Sequence, residues 1–252
     1  MVGGHTVEHI RLLVFGELDD ALTHGPPRAA SETAALFRAL EADGIVVVLC
    51  SWRTRAELEL VQQDLTLVHP FVAEGGSAAF VPHGYFPLPA PWTREVAGFH
   101  AIEFGQPSDA ITRIIRGAAA RLHIEVVTFS ELSVQQVADG RRLSLLQARL
   151  AKLRDYSVCF RIEPDTESTR ERLFRNLQAA NLHCLRGDRF HIASASRGFD
   201  DAISALRDLY QASRPSLATP RARAVLRSSG TDLEGWIQTI ARLAREDSGS
   251  AP

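Results

Sequence analysis

The apolar run Ile10 to Phe15, interrupted only by Arg11, leads directly into Gly16-Glu17-Leu18-Asp19-Asp20. A buried strand that ends in clustered carboxylates commonly ends at a site. Carboxylates at such a place serve as nucleophiles, as general acids and bases, or as ligands for a hard cation. Two further stretches follow the same plan. Ser51 follows the apolar run Ile45 to Cys50, and Glu74-Gly75-Gly76 follows Phe71-Val72-Ala73. Gly75 and Gly76 let the backbone approach a ligand closely, or simply make a turn.

The elements around these residues set their geometry. Ile10–Phe15, Ile45–Cys50 and Phe71–Ala73 read as strands that are apolar on both faces, as in parallel sheets covered by helices. Between them, Ser31 to Ala42 has helical periodicity and stops at Asp43-Gly44, and a second helix spans Arg55 to about Leu65. The βαβαβ order predicts an α/β protein with a doubly wound, Rossmann-like parallel sheet. Ligands of such sheets bind beyond the carboxyl ends of the strands, where Glu17, Ser51 and Glu74 lie. His83 to Pro91 reads as a linker rich in Pro, Gly and aromatics. Beyond it come helices at 107–122, 133–138, 144–153 and 168–180, and strands at 124–129, 157–162, 183–186 and 189–193. This mixture predicts an inserted α+β lid, with residues 1–84 and 195–252 forming the core and 85–194 the lid. Helices at 199–211 and 233–245 return to the core. Ser133 and Gln136 have the spacing of a capping box, and Trp236 reads as packing for the last helix.

Composition narrows the class. The chain has 252 residues, 45% hydrophobic and 23% charged, with formal net charge -2. No long-range field favours nucleic acid or an anionic membrane surface. Cys50, Cys159 and Cys184 have no CxxC spacing and read as reduced thiols of a cytoplasmic protein. Cys50, inside an apolar strand, reads as inert. Met1-Val2-Gly3-Gly4-His5 is not the start of a signal peptide, and no apolar run approaches the roughly 20 residues that span a bilayer. The nine histidines show no HxH or HExxH spacing, so no zinc site is expected.

The order of the stretches VVLCSWRTRAELE, HPFVAEGGSAAF, FSELSVQQVA, LAKLRDYSVCF, GDRFHIA and DLEGWIQTI resembles the haloacid dehalogenase superfamily of phosphatases. More narrowly, it resembles the mannosyl-3-phosphoglycerate phosphatase family, from about Arg11 to Arg245. That resemblance implies a first strand ending in Asp-x-Asp-Gly-Thr. Its first Asp attacks phosphorus, and the second protonates the leaving group and then activates water. A Ser or Thr and a Lys or Arg hold the phosphate, and Mg2+ neutralises its charge. Carried onto this chain, the resemblance makes Glu17 the nucleophile position and Asp19 the acid/base position, both at the implied Mg2+ site. Ser51 and Arg197 become the phosphate-binding residues. Arg154, Arg189, His191, Gly75 and Gly76 become contacts to a phosphorylated sugar-glycerate.

The departures from the family pattern sit at chemical positions. Glu replaces Asp at 17, Asp20 replaces Gly, and Ala21 replaces Thr. Asp to Glu displaces the carboxylate by about 1.5 Å, and a misplacement of about 1 Å costs about 100-fold in rate. Asp20 adds a charge that repels a phosphate if it faces the pocket. Arg197 replaces Lys, which keeps the charge but changes the hydrogen-bond geometry. The acidic Gly-Asp-Ser-x-Asn-Asp block expected after the helix ending near Tyr210 is absent. The chain passes from Gln211–Pro215 to Ala224–Arg227, which resembles a later part of the pattern, so the fourth-strand region of the core reads as deleted. The strand Arg11–Phe15 would then be an edge or need a new neighbour, which predicts a homodimer or another partner covering it. The functional expectation is an impaired or inactive phosphatase homologue that still binds its ligand. The alternatives are a working Mg2+-dependent phosphomonoester hydrolase using Glu17 or Asp19, and an interaction protein that binds no phosphate.

Overall fold

The computed structural model describes residues 10–17, 30–87, 90–213, 221–227, 235–240 and 242. The parallel part of the core begins with β1 (Leu12–Glu17), α1 (Ala30–Ala42), β2 (Ile45–Cys50), α2 (Arg55–Leu65) and β3 (Phe71–Ala73). β1 pairs with β2 from Leu12↔Ile45 to Glu17↔Cys50, and β2 with β3 through Leu49↔Phe71 and Cys50↔Val72. Both faces are covered, which explains the unbroken apolar runs. Leu12 and Val14 pack with Phe37 and Leu40 of α1 and Leu58 of α2. Leu13 and Phe15 pack on the opposite face, against the helix Asp200–Ala212 that supplies Ala202, Leu206 and Tyr210.

After β3, a single 3-10 turn (Glu74–Gly76) reverses the chain into β4 (Ala78–Pro82), which runs antiparallel to β3. β5 (Arg94–Val96) and β6 (Phe99–Glu103) continue the same sheet, which with the late strand β11 (Arg221–Arg227) has the spatial order β11-β1-β2-β3-β4-β6-β5. Part of the region assigned to the lid therefore belongs to the core sheet, and the second unit starts only at α3 (Ser108–Leu122). The short strands β5 and β6 lack the long apolar runs of the central strands because they lie at the partly wet end of the sheet.

The second unit comprises α3, β7 (Glu125–Thr128), α4 (Val134–Arg141), α5 (Leu145–Ala151), β8 (Ser157–Glu163), α6 (Glu167–Ala179), β9 (His183–Leu185) and β10 (His191–Ser194). Its antiparallel sheet has the order β7-β8-β10-β9. One face carries α3 and α6 through Ile111, Ile115, Leu173 and Leu177. The other carries α4 and α5 through Val137, Ala138 and Ala148, with Trp52 of the core packed against them. The capping box of Ser133 and Gln136 is present and starts α4.

α7 (Asp200–Ala212) returns to the core, and β11 (Arg221–Arg227) follows it. β11 pairs in parallel with β1, from Leu12↔Arg221 to Glu17↔Arg227, with an irregularity between Val14 and Gly16. Of the two outcomes expected for β1, an edge or a new neighbour, the second holds: the position is filled from within the chain by β11, which removes the reason for a partner there. The Pro- and Arg-rich composition of this segment hid a strand, because Arg221, Arg223 and Arg227 leave only the short apolar run Ala224 to Leu226. An apolar central strand needs ladder partners on both sides, and the segment with the later family pattern supplies the second.

A helix over residues 235–240, α8, lies against β1. Trp236 is buried, stands 6.4 Å from Phe37 between ring centroids, and occupies the space that a Cβ on Gly16 would need. Gly16→Ala would drive a methyl into that indole. It is expected to cost about 1–3 kcal/mol, read as a lower urea midpoint with an unchanged slope; equal midpoints would refute this packing.

Candidate functional site

The carboxyl ends of β1, β2 and β3 bring together three of the expected residues. Glu17 closes β1 half-buried, beside Cys50 on one side and in register with Arg227 on the other. Asp19 and Asp20 lie outside the described residues. Ser51 follows β2 directly and is buried. Its backbone N–H donates to Val72 O (3.0 Å), and its Oγ accepts from Arg53 N–H (2.9 Å), which turns the chain sharply away from the sheet. Thr54 then caps α2 by a reciprocal box with Glu57, while its own hydroxyl donates to Leu150 O of α5 (3.1 Å). The loop after β2 is thus fastened to both units.

Glu74, at the end of β3, joins the units most directly. Its side chain is only 1% exposed, and its backbone has φ 50. Oε1 accepts from Asp155 N–H (2.8 Å), and Oε2 accepts from Tyr156 N–H (3.1 Å) and Ser157 Oγ–H (2.5 Å). Burial pushes its pKa up, and the Arg154 charge and these donors oppose that rise. Arg154 donates to Trp52 O (3.1 Å) and to Ser157 Oγ (2.8 Å). Arg154, expected to hold substrate, is instead engaged in the junction between core and lid. Asp155 takes a salt bridge from Arg94, and Tyr156 donates its hydroxyl hydrogen to Glu103 (2.5 Å). Glu74 was visible as an acid at a strand end, but its partners lie more than eighty residues away, so local pattern did not reveal its role.

Gly75 and Gly76 have positive φ, and neither is open to a ligand. A Cβ on Gly75 would enter the Trp52 ring, and one on Gly76 would overlap Gly198 O. Their smallness admits tight packing of core loops, which corrects the expected substrate role. Ser196 Oγ, within reach of Gly75 O (2.9 Å) and Gly198 O (2.8 Å), holds the loop before α7 against this turn. Phe199 meets Trp52 edge to face at 6.3 Å. Arg197 sits in that loop and is exposed.

Arg189 is exposed on the second unit. His191 is fully buried, on the face of the lid sheet that carries Phe160 and Phe174, 5.7 and 5.2 Å away between ring centroids. Its Nε2 pairs with Asp165 Oδ2 at 3.0 Å, and burial lowers its pKa. Strand alternation therefore turns His191 away from the face that carries Ile192, Cys159 and Trp52. The substrate contact expected of it is corrected to a packing role. Burial likewise pushes the Cys159 and Cys184 thiols up, the latter to about 12, which leaves them poor nucleophiles.

A Mg2+ site of hard oxygen donors is not assembled by the described residues here. Glu74 is engaged by the lid, and the residue in register with Glu17 on β11 is Arg227 rather than an acid. Among the described residues, no three His, Cys, Asp or Glu ligand atoms gather at these strand ends.

No protein-family model matches the chain. It is 27% identical over 199 residues to a glucosyl-3-phosphoglycerate/mannosyl-3-phosphoglycerate phosphatase of Methanococcoides burtonii, covering 79% of this chain and 73% of that protein. Its fold is similar to that of a phosphatase of the haloalkanoate enzyme superfamily from Bacteroides thetaiotaomicron (TM-score 0.53, 12% identity, 81% of this chain and 74% of that one). It is similar also to a haloacid dehalogenase-like hydrolase from the same organism (TM-score 0.53, 13% identity, 78% and 76%). Among the described residues, no helix is long and apolar enough to cross a membrane.

The buried Glu74 yields a pH prediction. Its folded pKa stands above the ordinary 4.5, so the folded protein binds this proton more tightly than the unfolded chain. Its contribution to stability is full below about 4.5 and is lost as pH rises through the raised value. The unfolding free energy of the wild type, minus that of Glu74→Gln, should fall as pH rises from 4.5 and then level off; a difference that grows with pH would refute it. Glu74→Ala leaves several buried donors and Arg154 uncompensated and should cost about 3 kcal/mol in urea unfolding.

Proposed function

We propose that this chain is a divergent member of the haloacid dehalogenase superfamily of phosphatases, a mannosyl-3-phosphoglycerate phosphatase-like protein with impaired or lost phosphoryl transfer. In this reading it still binds a phosphorylated sugar-glycerate beyond the carboxyl ends of β1 and β2. The observation that carries the reading is Glu17 at the end of β1, where the superfamily pattern has the nucleophilic Asp. A carboxylate on a longer arm, rooted at the same backbone point, must fold back to meet phosphorus in line. Small errors of that kind are costly.

The environment supports the same reading. The strand end beside Glu17 is Arg227, followed by Ser228-Ser229-Gly230-Thr231-Asp232 instead of an acid-rich turn. Among the described residues, no three His, Cys, Asp or Glu ligand atoms gather at this strand end. What remains suits anion binding. Ser51 stands at the end of β2, and the exposed Arg197 lies on a loop packed against the Glu74–Gly76 turn. Arg189 adds a cation on the lid. An Arg grips a phosphate or carboxylate through paired N–H donors.

Phosphate release from mannosyl-3-phosphoglycerate tests this directly. With and without Mg2+, the wild type should release no more than Glu17→Ala, whereas metal-dependent turnover that Glu17→Ala abolishes would make the protein an active hydrolase. In parallel, the same compound should raise the wild-type unfolding temperature, and Arg197→Ala should shrink that rise. No rise in the wild type would leave the interaction-protein reading.

A further inference from the structure

At the far end of the core sheet, three potential metal ligands converge from three separate places in the chain. His83 follows β4, Glu95 lies in β5 and His100 lies in β6. One ligand atom from each lies within 4.8 Å of the other two. The ladder explains the convergence. Glu95 is the direct cross-strand partner of His100, and His100 also faces Val81, two residues before His83. The backbone N–H of His83 donates to Gly98 O at 3.0 Å, which extends the register by one more pair. Side chains two residues apart share a face, so all three project from the same side of neighbouring strands.

The plainest alternative is a surface stack of aromatic rings with an ion pair on its rim. Two features exceed it. His100 Nδ1 is buried and has no hydrogen-bond partner among the described residues. Glu95 Oε1 stands 3.4 Å from that nitrogen, too long for a good hydrogen bond but close to the separation of about 3.3 Å between two ligands of a tetrahedral ion bonded at about 2.0–2.1 Å. The His100 ring is also held in place. Trp92 stacks on it at 4.8 Å and 11°, and His83 approaches at 4.4 Å between ring centroids. Trp92 packs against the core, so this support is fixed from beneath.

We propose that His83, Glu95 and His100 form a binding site for a Zn2+-class divalent transition-metal ion, with three protein ligands and the remaining position left to water. Two imidazoles and one carboxylate suit such ions and not the all-oxygen preference of Mg2+ or Ca2+. The site is separate from the strand ends. β6 and β1 are four ladder steps apart in the sheet, or about 19 Å at the usual strand spacing. Binding would tie β5, a short strand at the rim, to β6 and to the turn after β4. The spacing in sequence gave no sign of it, because the ligands meet only across the sheet.

Co2+ is a spectroscopic probe for this site. Untagged protein should take up one equivalent of Co2+ with the visible absorption of a four-coordinate N/O site, and Zn2+ should displace it. His83 and Glu95 are exposed, so His83→Ala and Glu95→Gln should fold as the wild type does, which metal-free thermal unfolding verifies. Each should weaken binding by at least the ~10–100-fold that follows loss of a mere outer partner of a metal ligand. Unchanged affinity in both variants would place the metal elsewhere, and failure of the wild type to bind one equivalent would remove the site. Either result overturns the proposal.

Discussion

A carboxylate shut away from water must find donors, and in this protein Glu74 finds them in another unit of the chain. It leaves β3 in a left-handed turn that delivers its side chain into the junction, where Asp155, Tyr156 and Ser157 donate to it. Much else follows from this arrangement. Arg154 bridges Ser157 and the Trp52 carbonyl, Thr54 reaches Leu150, and Ser77 meets Ser194 at 2.8 Å. The glycines after Glu74 leave room for Trp52 and for the loop before α7. Loss of the carboxylate would strand several buried donors together, so the lid is held over the strand ends by one group with many dependants.

The same junction engages charged side chains of both units near the strand ends. Arg154, a substrate contact by the family resemblance, and Glu74, an acid at a strand end, serve the contact between units. The proposed loss of phosphoryl transfer then rests on a short inventory. Glu17 is displaced by a methylene relative to Asp, and Arg227 stands in register with it on β11. In the proposed reading, Ser51 and Arg197 hold the anion. A site reduced in this way retains recognition more readily than catalysis, because binding tolerates displacements that an in-line attack does not.

The parts of the fold set by local periodicity were readable before the structure. β2, α2 and β3 occupy the expected residues, and the lid helices start and stop within a few positions of their caps. The parts set by long-range pairing were not. β11 looked like a polar connection because Arg221, Arg223 and Arg227 masked a strand that pairs with β1. β5 and β6 were hidden by an aromatic, Pro-rich approach, although they belong to the core sheet. The site shows the same division. Glu17 and Ser51 lie where strand ends predict. Strand alternation puts His191 on the far face of its strand, where it pairs with Asp165, and Gly75 and Gly76 answer to neighbouring rings and carbonyls.

The most direct test of the central claim is a search for an acyl phosphate on Glu17. The protein is mixed with mannosyl-3-phosphoglycerate and Mg2+, quenched in acid, and examined by peptide mass spectrometry with and without hydroxylamine. The account predicts no phosphate adduct at Glu17. A hydroxylamine-labile phosphate on Glu17 would contradict it and show that the longer carboxylate still reaches phosphorus.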